Sequence, residues 1–271
     1  MGLLSSLKSK AGIHKSERDC NSESSADDKE IHGFQKSIAP SRSLLATSSL
    51  DVHAIGYDTN QALTGKTLEN ISVHRAESGQ TEYISIRPKK NSNSCALVRA
   101  SDQDRALIST IYRIGPGRHP KMHILPANAR VTVNAALHDK AAVPGEEVEV
   151  KSRSFASRAQ VFDTALGKFQ WRYGSREEKR ASCNNADSLL VMEGADGARV
   201  AQLVRNADLR TAGTLRYSGG NGGRLMIDLH EWENSDKACA DGVEAFAVAS
   251  CILMLKREAD RFINNTVAAV V

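Results

Sequence analysis

Ala245 to Leu255 (AFAVASCILML) is an uncharged run within a stretch that reads as one helix, from Ala238 to about Asn264. At ~1.5 Å rise per residue the run is about 16 Å long, roughly half the hydrocarbon core of a bilayer, which argues against a membrane span. It is apolar around its full circumference, whereas a helix on a protein surface keeps a polar stripe. Such a segment must be enclosed by protein on every side. The preceding chain reads as short strands, so the enclosing body is expected to be a sheet curled around the helix.

The strand signals come at close spacing. Leu68 to Arg75, Glu82 to Arg87, Cys95 to Arg99, Ala106 to Ile114, Lys121 to Leu125, Arg130 to Ala136 and Glu147 to Arg153 carry alternating or continuous apolar patterns. Gln160 to Phe162 and Lys168 to Tyr173 flank a hairpin loop. Ser188 to Glu193 and Arg199 to Arg205 bracket Gly194-Ala195-Asp196-Gly197, whose Asp-Gly pair suits a tight hairpin. Thr214 to Tyr217 and Arg224 to Leu229 bracket a glycine-rich turn. Arg176 to Arg180 (REEKR) leans helical.

Such spacing predicts antiparallel pairing rather than βαβ units. A two-sheet sandwich fills its own core with side chains, whereas a wide closed barrel has a lumen that a helix can fill. The expected fold is therefore mainly β (α+β): about twelve antiparallel strands closed around a hydrophobic C-terminal helix. Ser235-Asp236 offers an N-cap, and Lys256, Arg257 and Arg261 lie near the C-terminal end, where the helix dipole favours cations. Residues 1–62, with the polar segment Asn21 to Glu30 (NSESSADDKE), predict a disordered tail; 63–271 form the barrel domain, with its helix at about 238–264.

Lysines 8 and 10 cut short the leucines at 3, 4 and 7, so no secretory core is expected. The five cysteines show no CxxC pair and no metal-ligand spacing, which predicts a reducing, cytoplasmic compartment. A net charge of +4 is a mild basic bias and lacks the concentration of a nucleic-acid binder, so no nucleic-acid partner is expected.

Several local patterns resemble the tubby C-terminal-like superfamily, which includes tubby proteins, phospholipid scramblases and LURP-one-related proteins, and in particular its fungal members. They are Phe169-Gln170-Trp171-Arg172-Tyr173 with REEKR, Leu189-Leu190-Val191-Met192-Glu193, RVAQLVR (Arg199 to Arg205), Gly222 to Asp228 and VEAFAVASCILMLKREADR (Val243 to Arg261). The likeness is strongest over residues 160–262 and thin over 66–159. It implies a twelve-stranded barrel around a central helix and binding of anionic lipid or phosphoinositide head groups. The family's lipid site resembles a Lys-x-Arg pair on a strand, which here implies Lys151 and Arg153 as ligand-binding residues.

One lipid-anchor candidate lies outside the barrel. Met1-Gly2-Leu3-Leu4-Ser5-Ser6 fits the myristoylation pattern at Gly2, and Lys8, Lys10, Lys15 and Arg18 supply a basic second signal. Thr64-Gly65-Lys66-Thr67 lacks the first glycine of a P-loop, and His230-Glu231 lacks the second histidine of a zinc motif. His119 and His123 sit four apart in a Pro/Gly-broken segment, which disfavours metal geometry. No catalytic constellation assembles, and no cofactor or metal is implied. The expected function is a non-enzymatic barrel, cytoplasmic and peripheral to a membrane, with anionic phospholipid as partner. The alternative is a protein-interaction barrel with no lipid role.

Overall fold

A computed structural model describes residues 44–56, 70–89, 92–113, 118–138, 143–153, 157–182, 186–233 and 237–270. Among them are thirteen strands: β1 (Ser48–His53), β2 (Ile71–Arg75), β3 (Thr81–Ile86), β4 (Cys95–Arg99), β5 (Asp102–Ile111), β6 (Lys121–Ile124), β7 (Glu146–Glu149), β8 (Lys151–Ser152), β9 (Gln160–Thr164), β10 (Gly167–Tyr173), β11 (Ser188–Gly194), β12 (Arg199–Arg205) and β13 (Gly223–Ile227). Three short helices, α1 (Val133–Ala136), α2 (Arg176–Ala181) and α3 (His230–Glu233), precede the long α4 (Lys237–Val270).

The strands form one sheet in the order β7-β6-β5-β4-β3-β2-β1-β13-β12-β11-β10-β9-β8, with antiparallel neighbours throughout. Its two edge strands are consecutive in the chain. Val150 alone separates β7, bonded to β6, from β8, bonded to β9. Val150 is buried in the core and donates its N–H to Pro120 O at 2.9 Å. A single extended segment therefore bridges both edges and nearly closes the barrel.

Alternation puts Leu50, Val52, Ile71, Val73, Leu203, Leu225 and Ile227 inside, and α4 fills the lumen. On the helix, Val243, Phe246, Ala247, Val248, Cys251, Ile252, Leu253, Met254 and Leu255 are all buried. Each large apolar side chain so enclosed contributes about 1.5–3 kcal/mol. Phe246 meets Phe162 edge-on at 5.6 Å and Phe169 at 5.4 Å between ring centroids. Trp171 Nε1 donates to Ser250 Oγ at 2.8 Å, giving the middle of the helix a polar tether. Within Lys237–Asn265 an 18-residue window, of mean hydropathy 1.7, is long and apolar enough to cross a bilayer, but 78% of that window is buried inside the protein.

Three expectations need correction. Ser48–His53, read as part of the polar tail, is β1 and pairs with both β2 and β13. Arg130 to Ala136, read as a strand, ends in α1. Thr132 caps that helix by accepting from Ala135 N at 3.3 Å, and Ala136 buries against Ala96 and Ala106 on the outer wall. Thr214 to Tyr217, read as a strand beside Arg224 to Leu229, makes a turn closed by Ser218 N–H to Leu215 O at 3.1 Å. Both edges of β13 are already taken by β1 and β12, leaving no place for it. The helical reading of REEKR holds as α2, whose Ser175–Glu178 capping box secures its start. The tail to residue 43, Thr64 to Thr67 and the Ser235-Asp236 cap lie outside the described residues.

Candidate functional site

The arginine that ends β12 starts the site. Arg205 is 3% exposed, and its guanidinium grips Glu258 of α4 in a bidentate pair at 2.6 and 2.9 Å. It also donates to Ser188 Oγ at 2.7 Å and to Asn221 O at 3.1 Å, while Nε is buried without a partner. Burial alone would lower the Arg205 pKa, but the Glu258 charge and hydrogen bond outweigh it and raise it. The group stays charged at any physiological pH.

Around Arg205 lies a cavity of about 150 Å³, lined also by Asp187, Ser188, Arg210, Arg216, Ser218, Gly219, Asn221 and Glu258. Asp187 precedes β11 and bridges two guanidiniums: Oδ2 accepts from Arg210 Nη1 and Oδ1 pairs with Arg216 Nε, each at 3.1 Å. Arg210 and Arg216 come from the connection between β12 and β13. Thr211 Oγ1 pins that connection to the end of β1 by donating to Val52 O (3.1 Å) and accepting from Ala54 N (3.2 Å). Gly220, at φ +77°, lets the connection lie on the helix; a Cβ there would fall 2.3 Å from Leu255 O. Three arginines face two carboxylates among the described lining residues, an excess of one positive charge.

The same connection carries Leu215, 62% exposed, and Tyr217, 79% exposed, on either side of Arg216. Ile55, 57% exposed, joins them, because Gly56 packs so closely that a Cβ would come within 2.7 Å of Asn221 N and Gly219 O. Apolar side chains thus stand in water beside a basic cavity.

The opposite end of α4 is tied differently. Glu244 accepts two hydrogen bonds from Arg75 at 2.8 Å, one from Tyr83 OH at 2.7 Å and one from Ser48 Oγ at 2.7 Å. Arg75 also pairs with Glu82, which pairs with Arg99. Burial would raise the Glu244 pKa, but these donors outweigh it and hold it below the ordinary carboxylate value. On the outer wall, Arg172, Arg199, Glu178 and Glu193 form a third closed network, and hydrogen bonding from Arg172 leads in lowering Glu178 to about 2. A smaller cavity of about 80 Å³ beside β5 and β6 contains Ser109 Oγ and His123 Nε2, both buried without partners. Polar groups so placed suit ordered water. Among the described residues no group of three or more His, Cys, Asp or Glu is arranged to hold a metal. Cys251 is buried in the core, where burial pushes its thiol up to about 12, leaving it unreactive.

Lys151 and Arg153 lie together on the outer wall at the seam between β7 and β9, exposed, with Lys151 Nζ 3.5 Å from Glu149 Oε2. Neither lines the arginine-rich cavity. Gly2 lies outside the described residues. Sequence reading passed over Arg205, Arg210 and Arg216. The available signal was three arginines within twelve residues on a glycine-rich connection between strands. No protein-family model, curated protein or solved structure matches the chain.

Proposed function

We propose that this is a tubby-like, non-enzymatic barrel that docks on anionic phospholipid at the cytoplasmic face of a membrane. One observation supports the reading above the rest: exposed Leu215 and Tyr217 flank Arg216 in the chain, and exposed Ile55 precedes Gly56, which packs on Gly219 and Asn221 of the cavity that holds Arg205, Arg210 and Arg216. Apolar side chains entering the head-group region, with basic groups at phosphate level, are the elements of interfacial binding. Each basic residue near an anionic surface contributes about 1 kcal/mol. Arg216, with 59% of its side chain exposed, is the arginine best placed to reach a lipid.

The test is sedimentation of the full chain, made without acyltransferase so that Gly2 is unmodified, with phosphatidylcholine vesicles that contain or lack phosphatidylglycerol. Wild type is expected to sediment only with the anionic vesicles at low salt. Arg216→Glu and the pair Leu215→Ser/Tyr217→Ser are expected to abolish most of that binding while remaining folded. Lys151→Glu/Arg153→Glu asks the same of the pair that the family resemblance implies. No sedimentation of wild type at low salt sinks the lipid reading and leaves a protein-interaction barrel.

A further inference from the structure

We infer that the arginine-lined cavity takes a phosphomonoester dianion in preference to a singly charged phosphodiester, and that Asp187 is the internal anion whose guanidinium partners the ligand takes over. This deepens the membrane reading above and, for its lipid form, rests on it. A single carboxylate holds Arg210 by one hydrogen bond and Arg216 by one ion-pair contact, each at 3.1 Å, so both guanidinium forks are only half used. A guanidinium fork matches two oxygens at once on phosphate. A phosphomonoester presents three terminal oxygens and a charge of about −1.5 to −2 near neutral pH, enough to occupy both forks. A phosphodiester carries one charge, the same as Asp187, and gains little by replacing it.

The surroundings favour this exchange. The Asp187 main chain is anchored by its own N–H, which donates to Arg205 O at 2.8 Å. Arg216 is exposed enough to turn. Ser218 lines the cavity as a hydroxyl donor, and Arg205 lines it as a fixed, buried cation whose Nε has no partner. A volume of about 150 Å³ accommodates a ligand group the size of benzene, and so a phosphate group.

The experiment uses the full, unacylated chain with vesicles of matched surface potential containing either phosphatidic acid, a monoester, or phosphatidylglycerol, a diester. Inorganic phosphate and glycerol 3-phosphate serve as soluble probes in a thermal-shift assay. Phosphatidic acid is expected to bind about tenfold more tightly than phosphatidylglycerol, equivalent to about 1.4 kcal/mol. Arg210→Lys, which keeps the charge and loses the fork, is expected to erase that preference. Asp187→Asn is expected to strengthen phosphate binding, read as a larger rise in melting temperature per concentration of glycerol 3-phosphate. Equal binding to the two lipids overturns the inference and leaves membrane docking standing. Stabilisation by the soluble monoester without vesicle binding supports the phosphomonoester site and overturns the membrane reading. An Asp187→Asn protein that melts cooperatively yet binds phosphate no better than wild type overturns the role of Asp187.

Discussion

Both ends of the central helix are fastened by the same unit, an arginine from the wall gripping a helix carboxylate with both nitrogens, but their surroundings differ. Around Arg75 and Glu244, Glu82 and Arg99 extend the network and Asp241 lies 3.9 Å from Arg99, so no arginine is in excess, and Tyr83 and Ser48 complete the carboxylate's shell. Arg99 further covers the Tyr83 ring at 4.5 Å. Around Arg205 and Glu258, Arg210 and Arg216 share one Asp187, leaving an excess positive charge, a cavity and exposed apolar side chains. The first end is a satisfied lock, and the second is a lock with chemistry left over. Residual positive charge and residual exposed apolar surface set the second end apart from the first, whereas the ion pair alone does not.

That contrast can be broken most forcefully by removing the helix from both ends at once. Leu253→Asp places a charge with no partner at a buried position of α4, and the soluble, cooperatively melting protein is expected to be lost, as read by circular dichroism. A folded Leu253→Asp protein would mean the helix is not central to the fold. Next in size are the two locks themselves. Glu258→Gln strands a fully buried Arg205 and is expected to cost toward the upper end of about 3–5 kcal/mol; Glu244→Gln, whose partner Arg75 keeps 32% of its side chain exposed, falls near the lower end. Urea midpoints of the two variants measure the order, and equal losses would remove the distinction in burial.

Acid is the smallest and most graded perturbation. Glu244 and Glu178 have folded pKa values below the ordinary 4.5, Glu178 at about 2, so their contribution is complete above about pH 4.5 and fades as pH falls through the folded values. Asp260, near the opposite end of α4 from Glu244, works the other way: burial leads in raising its pKa despite Tyr112, Arg257, Lys256 and Asn93, so protonating it favours the folded state. Urea midpoints are therefore expected to fall between about pH 4.5 and 2, and Glu178→Gln is expected to flatten that fall.

The helix was legible because an apolar circumference on a run too short to span a bilayer calls for enclosure by protein, and most strands followed from alternation. β1 was not. Its only large apolar members are Leu50 and Val52, it follows a polar stretch, and its first residue, Ser48, is buried to serve a carboxylate far along the chain. Thr214 to Tyr217 failed for the complementary reason: local pattern cannot register that β13 already has two neighbours. The arginine cluster was invisible in the same way. Arg205 reads as an ordinary strand end, and only the fold returns Arg210 and Arg216 to Asp187.

The seam at Val150 also bears on how the molecule assembles. It divides the wall into two runs, β1 to β7 and β8 to β13, in each of which every strand pairs only with its neighbours in the chain. Such local pairing forms fast. The two runs meet at Val150 through a covalent link and at β1 and β13 through hydrogen bonds between residues about as far apart in sequence as the barrel allows. α4 comes after every strand in chain order, so a growing polypeptide carries two half-shells with bare apolar interiors until the helix emerges to fill them. Closure of this barrel is therefore a late event, and the interval before it is when the chain is most exposed to aggregation.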